Sequence, residues 1–392
     1  MEVKMIWQYV VAGAGAVACV AVAVAWIMRS DAAEQRRYEH DETKVRIINL
    51  AGLPLRLFKA GGNLSGAHKI SGFGSTIDLP PGNFFLRADH PKGVLLYPVP
   101  ILGYNRGPER DGSLVVTVRP PPLQLPPVLD GSSQFVFIPG GHFLIGDRSS
   151  PREVHYVWVT GFFIAQFETT NAEFRQFLNE GYGDDANWTE EGRRWRTSPR
   201  MASSASLGIR DPEYMRFGQP DQPVVNVTWY EANAYCRWLT AKLGHGTWIF
   251  GLPTDAEWEK AARGPDDFDY GLGMAISDRE VPLYNWKKNP EVPITVVGTS
   301  ASRAGYVANR YGVYHMSGNV AEWTQSIFRP YGRDNPYMDD DRNHDDAPGR
   351  RSARGGSWYS ATIAPLYIPY RDAFQPDHFN NDLGFRVVAR LP

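Results

Sequence analysis

The chain has 392 residues, of which 43% are hydrophobic and 21% charged, a globular composition that excludes disordered and fibrous classes. A formal net charge of -2 supplies no basic field for nucleic acid. Two cysteines, Cys19 and Cys236, leave no thiolate metal cage and argue against a disulfide framework, while the length predicts two or three domains.

Residues 6–28 read IWQYVVAGAGAVACVAVAVAWIM without a charge, where about 20 apolar residues span a bilayer. Trp7, Tyr9 and Trp26 stand at the ends, where amphipathic rings favour the headgroup zone. The stretch Ala16-Val17-Ala18-Cys19 is similar to a lipoprotein cleavage box, but apolar sequence continues beyond it. A retained transmembrane anchor over residues 1–30 is therefore expected, in contact with lipid. Arg29, Arg36, Arg37 and Lys44 follow the span and only Lys4 precedes it, which by the positive-inside rule leans the remainder toward the cytoplasm.

Residues 44–118 alternate in short runs such as VRIINL, LRLFKA, NFFLRAD, GVLLYPV and SLVVTV, broken by turns such as Pro80-Pro81-Gly82. That pattern predicts a small all-β sandwich. The phrase IDLPPGNFFLRADHPKG resembles one hairpin of carboxypeptidase-regulatory-like or PEGA adaptor modules. No chemistry-bearing cluster occurs there, so the module reads as a spacer or docking surface. Residues 119–133, RPPPLQLPPVLDG and its neighbours, form a Pro-rich linker whose stiffness predicts a defined stand-off for the carboxyl-terminal domain.

Residues 134–392 carry a series of distinctive phrases. FVFIPGGHFLIGD reads as two strands around a Pro-Gly-Gly turn. A helix starts at Thr169 or Thr170 with Glu173 placed for a capping box, and Thr254 with Glu257 repeats that arrangement. A third helix puts Trp229, Ala232, Tyr235, Cys236 and Leu239 on one apolar side. PTDAEWEKAARG, GNVAEW, RGGSW and LGFR occur in order, and NNDLGFRVVARL reads as a closing strand. This series resembles the formylglycine-generating enzyme (sulfatase-modifying factor) family. The resemblance implies an α+β architecture: a C-type-lectin-like mixed α/β body with little regular secondary structure.

Active members, the resemblance implies, oxidise a sulfatase cysteine with copper held by two cysteines just after the Gly-Gly-Ser-aromatic phrase. Soft thiolates suit Cu(I). Here Ser360 stands at the first of those positions and Ala364 or Pro365 near the second, and no cysteine occurs after Cys236. Formylglycine generation and copper binding are therefore expected to be lost, with Cys236 a core residue. The family's calcium site, carried over, uses His315, Gly318, Val320 and Glu322, and a second site begins at Asn285. Calcium prefers oxygen ligands, so His315 weakens the first site, and the absence of Asp from residues 286–305 weakens the second. No cofactor is expected, with calcium left open and Glu322 expected to bond buried backbone instead. The His-rich helical domain of iron-dependent relatives has no counterpart here.

Tyr359, Tyr367, Tyr370, Phe374 and Phe379 surround the vacated segment. Most of these rings are expected to pack in the core, and the others, with Ser360, Arg371 and Arg354, to line a candidate groove for a protein partner, for which Tyr359, Tyr367, Tyr370 and Phe374 are the ring candidates. Asp339, Asp341 and Asn343 have the alternation of a calcium loop without its sixth-position Gly or twelfth-position Glu, so a solvated acidic loop is expected. The function these features support is a non-catalytic, membrane-anchored accessory or scaffolding subunit of an integral membrane complex; a bioenergetic or photosynthetic complex is one such host. Altered chemistry at Ser360, Tyr359 or Tyr367 and a lectin-like ligand receptor are the alternatives. Family habit places the large domains outside the cytoplasm, in the periplasm or its equivalent, against the arginine count.

Overall fold

Alternate side chains from Thr43 onward are suited to a half-buried strand, and they turn Val45 and Ile47 inward along β1 (Thr43–Asn49). The computed structural model describes residues 42–392 except 61–67, 71–73, 92, 102–106, 123, 130–133, 151–152, 199–216, 272, 274–307, 332–336 and 338–340. The apolar span at 6–28 and Asn285 lie outside the described residues. No helix among the described residues is long and apolar enough to cross a membrane.

β1 pairs antiparallel with β4 (Gly74–Leu79) and parallel with β7 (Leu114–Val118). A second sheet runs in the order β3 (His68–Ile70), β2 (Leu55–Lys59), β5 (Gly82–His90), β6 (Gly93–Ile101). The Pro80-Pro81-Gly82 turn carries the chain from one sheet to the other. Both sheets feed one apolar cluster, with Val45 and Val118 from the first meeting Leu57, Leu86 and Val99 from the second.

The rest of the described chain is a mixed α/β body of several sheets and a few helices. Its first strands are β8 (Phe135–Ile138), β9 (Gly141–Ile145), β10 (His155–Val159) and β11 (Phe162–Ala165). Despite the Pro-Gly-Gly turn between them, β8 and β9 enter different sheets, β8 pairing with β11 and β9 with β10. The crossing is tight: a Cβ on Gly140 would lie 2.7 Å from the Gly161 nitrogen. Helices α1 (Asn171–Glu180), α2 (Glu190–Arg196), α3 (Trp229–Leu243) and α4 (Asp255–Arg263) come next in the chain. Thr170 with Glu173 and Thr254 with Glu257 form the expected capping boxes. Thr228 with Glu231 forms a third, which the phrase TWYE also encodes.

β12 (Ile249–Gly251), β13 (Ala321–Ile327), β14 (Arg351–Arg354), β15 (Asp372–Phe374), β16 (Leu383–Phe385) and β17 (Val388–Arg390) complete two four-stranded sheets, β12-β17-β11-β8 and β15-β14-β13-β16. The closing phrase is thus two strands in two sheets, not one. The break falls at Arg386, whose side chain is fully buried between them.

The proline linker does not hold the two-sheet unit away from this body. β6 and β7 contact β9, Phe137 and Tyr156 pack on the two-sheet cluster, and the Tyr156 hydroxyl donates to the Pro100 carbonyl at 2.8 Å. Arg148 donates to Asn83 at 3.0 Å and pairs with Asp267. Burial of these side chains outweighs the stand-off that proline stiffness predicts.

One buried charge-bearing group in this body has a measurable signature. Lys260 on α4 is 1% exposed; its Nζ donates to the Gly141 carbonyl at 2.8 Å and lies 5.9 Å from the Phe143 ring. Burial pushes its amine down to about 7. The unfolded lysine stays protonated to about pH 10, so stability is expected to be lower at pH 7 and to rise as pH climbs from 7 toward 10. Lys260→Met should remove that slope and stabilise the protein at pH 7 by about 1–3 kcal/mol, read by urea unfolding at pH 7 and 9. Retention of the wild-type slope in the variant would refute the assignment.

Candidate functional site

β14 is followed by two glycines in conformations that suit only a residue without Cβ. Gly355 has φ +89° and Gly356 φ +63°, and a Cβ on Gly356 would lie 2.8 Å from the Pro365 carbonyl carbon and oxygen. The pair turns the chain so that Trp358 enters the interior, stacked on Phe217 at 5.6 Å, while Tyr359 stands half exposed. Beneath this segment, residues 315–320 act as a cradle. The Gly318 N–H donates to Gly355 at 2.7 Å, the Trp358 N–H donates to Asn319 at 2.8 Å, and the Ser317 hydroxyl donates to Leu366 at 2.8 Å.

Ser360 takes part in closing the turn. Its Oγ accepts from the Ser357 N–H at 3.0 Å, and its own N–H donates to the Ser357 carbonyl at 3.0 Å. The Ser357 hydroxyl donates to Asp382 at 2.5 Å. Burial pushes the carboxyls of Asp382 and Asp372 up and the His378 imidazole down. The Tyr370 hydroxyl donates to Asp372 at 3.0 Å, and His378 stacks on Phe374 at 4.5 Å. Sequence reasoning missed Ser357 with Asp382; the Asp of NNDLGFR was the available signal.

The predicted groove residues divide into two groups. Tyr359 and Tyr370 are exposed, residues 361–364 between them are exposed too, and Ser360 is half-buried. Tyr367 instead bonds Asp147 at 2.8 Å. Arg371 lies 3.5 Å over the Tyr331 ring and donates to Asp255 at 3.3 Å, and Phe374 packs edge-on against Trp323 at 6.0 Å. Arg354, expected at the surface, is fully buried against Glu259 and Asp255, because an arginine there neutralises two interior carboxylates.

The positions carried over for calcium form a different centre. Glu322 is buried; its oxygens accept from Arg386 at 2.6 and 2.7 Å and from the Trp258 indole at 2.8 Å. Its partners are therefore side chains, not the buried backbone expected. Gly318 is committed to the cradle through its N–H, and Val320 is a buried apolar contact. His315 Nδ1 lies 2.9 Å from Glu168, which also accepts from Asn319 at 2.6 Å. A calcium ion here would meet a guanidinium that already balances the carboxylate, so these residues do not fit the metal. Neither does Ser360 fit copper, lacking sulfur. Among the described residues no three His, Cys, Asp or Glu side chains converge in a metal-binding group.

Cys236 is 1% exposed on α3 and burial pushes its thiol far up, which makes it a core residue. The acidic loop is not freely solvated. Asp345 accepts from Asn233 at 3.0 Å, from Arg237 at 3.2 Å and from Gln325, and the Ser326 hydroxyl donates to Asn343 at 2.5 Å. Asp339 lies outside the described residues.

A sulfatase-modifying factor enzyme 1-like domain model matches residues 127–391. Inactive C-alpha-formylglycine-generating enzyme 2 of Mus musculus is 29% identical over 307 residues, covering 69% of this chain and 89% of the relative. The formylglycine-generating enzyme of Streptomyces coelicolor is 30% identical over 296 residues, covering 64% of this chain and 88% of the relative. Serine/threonine-protein kinase pkn1 of Chlamydia caviae is 30% identical over 264 residues, covering 65% of this chain, and the chain spans only 38% of that kinase.

Proposed function

Because the chain belongs to the sulfatase-modifying factor family through residues 127–391, we propose that it is a non-catalytic member that binds a protein partner, as an accessory or scaffolding subunit of a membrane complex. One observation carries this reading. At the family's copper position a serine hydroxyl accepts a turn hydrogen bond from Ser357, and no cysteine occurs after Cys236. Among the described residues no imidazole or amine is hydrogen-bonded to that hydroxyl, so no neighbouring base activates it as a nucleophile. The mouse relative named inactive is similar over most of its length, which supports the same direction.

What the segment offers instead is surface. Tyr359, Ile363 and Tyr370 are 50%, 42% and 37% exposed within twelve residues, on a backbone held by the cradle and by the Gly355-Gly356 turn. Rigid exposed aromatic and aliphatic side chains are effective anchors for a protein partner. In the proposed arrangement the span at 6–28 holds the chain in the membrane, with the family body on the extracytoplasmic side.

The test is purification of the full chain in mild detergent with its co-purifying proteins identified by mass spectrometry. Tyr359→Asp and Ile363→Asp should each abolish a stoichiometric partner while leaving the thermal midpoint unchanged. Stoichiometric copper uptake by the purified protein with oxygen consumption on a thiol or peptide would overturn the proposal. A carboxyl-terminal reporter fusion tests the side of the membrane separately.

A further inference from the structure

A second concavity lies apart from the groove predicted around Ser360. It is a cleft of about 910 Å³, and none of Tyr359, Ser360, Tyr367, Tyr370, Arg371 or Phe374 lines it. That size falls in the range of ligand pockets, roughly 300–1,000 Å³. Its walls come from α3, from β10 and β12, and from the loop that carries Asp345.

The polar groups in this cleft are planar and cross-linked. Asp345 accepts from Asn233 and Arg237, which stand four residues apart on α3. Asn233 is 4% exposed, yet its Oδ1 has no hydrogen-bond partner among the described residues. That oxygen is itself closed to solvent, so Asn233 holds Asp345 from within the wall, and the groups a ligand can reach are the part-exposed Asp345 and Arg237. Both guanidiniums are already paired: Arg237 faces Asp345, and Arg390 pairs with Glu257 at 2.5 Å. The Asp184 carboxylate caps the Ala186 N–H at 3.0 Å. Among the described residues of the cleft, no unpaired cation therefore offers itself to a phosphate or a nucleic acid.

Main-chain pairing with a peptide is also closed off along β12. The Phe250 N–H donates to Thr240 Oγ1 at 2.9 Å, and that hydroxyl lies 3.1 Å from the Phe250 carbonyl. Among the residues lining the cleft, Trp158 is 48% exposed, and its indole meets the His142 ring edge-on at 5.0 Å. An indole platform and a paired carboxylate and guanidinium suit one ligand chemistry. A sugar ring presents an apolar C–H face for stacking, and hydroxyls that each donate and accept.

We propose that this cleft binds a neutral oligosaccharide, with Trp158 as its stacking platform and Asp345 and Arg237, positioned by Asn233, as its hydroxyl-reading group. The site is independent of the partner surface at Tyr359, so either reading stands or falls alone.

The full chain in detergent is titrated with cellohexaose, chitohexaose and mannohexaose, followed by calorimetry and tryptophan fluorescence. Saturable 1:1 binding of at least one sugar is expected. Trp158→Ala and Arg237→Ala, both at exposed positions, should each weaken it by about tenfold or more with an unchanged thermal midpoint. Failure of all three sugars to bind overturns the proposal, as does affinity unaffected by Trp158→Ala. Binding of a glycine-serine decapeptide that Trp158→Ala abolishes, in place of sugar binding, would make the cleft a peptide site and overturn it equally.

Discussion

Arg386→Ala is expected to destabilise the protein by about 3–5 kcal/mol, because it strands a carboxylate in the interior. Arg386 and Glu322 are both fully buried, and Arg386 also donates to the carbonyls of Tyr314 at 2.9 Å, Ala165 at 3.1 Å and Gln166 at 3.2 Å. Removing it leaves three carbonyls and one carboxylate short of a donor. The pH dependence identifies the cause. Burial pushes the Glu322 carboxyl above its usual range even with Arg386 beside it, and removal of the guanidinium pushes it further. A carboxyl raised in the folded state is tolerated below its unfolded value near 4.3 and penalises folding as pH rises through its folded value. The deficit of Arg386→Ala should therefore be smaller at pH 4.5 than at pH 7, measured by urea unfolding against wild type at both. Glu322→Gln in the Arg386→Ala background should recover part of it at pH 7. A deficit that is the same at both pH values, with no recovery, would show that lost packing and not a stranded charge is responsible.

Trp229→Ala should have a comparable effect, about 3–5 kcal/mol, for a different reason. Trp229 is fully buried at the start of α3, and its indole N–H donates to the Thr324 carbonyl at 2.9 Å. The Arg351 guanidinium lies 3.8 Å over its ring and is itself buried, donating to Gln325 at 2.7 Å and to His344 at 3.0 Å. Burial already pushes Arg351 down to about 10, so loss of the ring beside it removes a favourable contact from a charge that is poorly solvated. Trp229→Phe keeps an aromatic face for Arg351 and forfeits the hydrogen bond to Thr324, and should be markedly milder. Equal losses in the two variants, by thermal and urea unfolding, would place the whole effect in that hydrogen bond.

The candidate site was legible in the sequence to the extent that its determinants are local. The motif series locates the Gly355-Gly356 turn, and the residue types at 360, 364 and 365 already exclude copper thiolates. Tyr359 and Tyr370, two of five aromatic residues that the sequence leaves between core and groove, are exposed in the fold. Arg354 and Arg371 belong to the same predicted groove, yet one is buried against Glu259 and the other lies over Tyr331. Nothing in the spacing of an arginine along a strand tells which carboxylate it will meet. The second cleft had no local signature at all, since Trp158, Asn233 and Asp345 come from three distant parts of the chain.

The same division runs through the fold. Thr170 with Glu173, and Thr254 with Glu257, are partners three residues apart, and helix geometry alone brings their hydrogen-bonding groups within reach. Those caps, the strand alternation of residues 44–118 and the loss of sulfur chemistry are all properties of short segments, readable along the chain. Partners separated by long stretches are not. Glu322 meets Arg386 across 64 residues, and Phe137 and Tyr156 dock on a sheet cluster that a stiff linker would keep distant. Such pairings depend on which surfaces exclude water together, a property of the packed chain that no single segment carries.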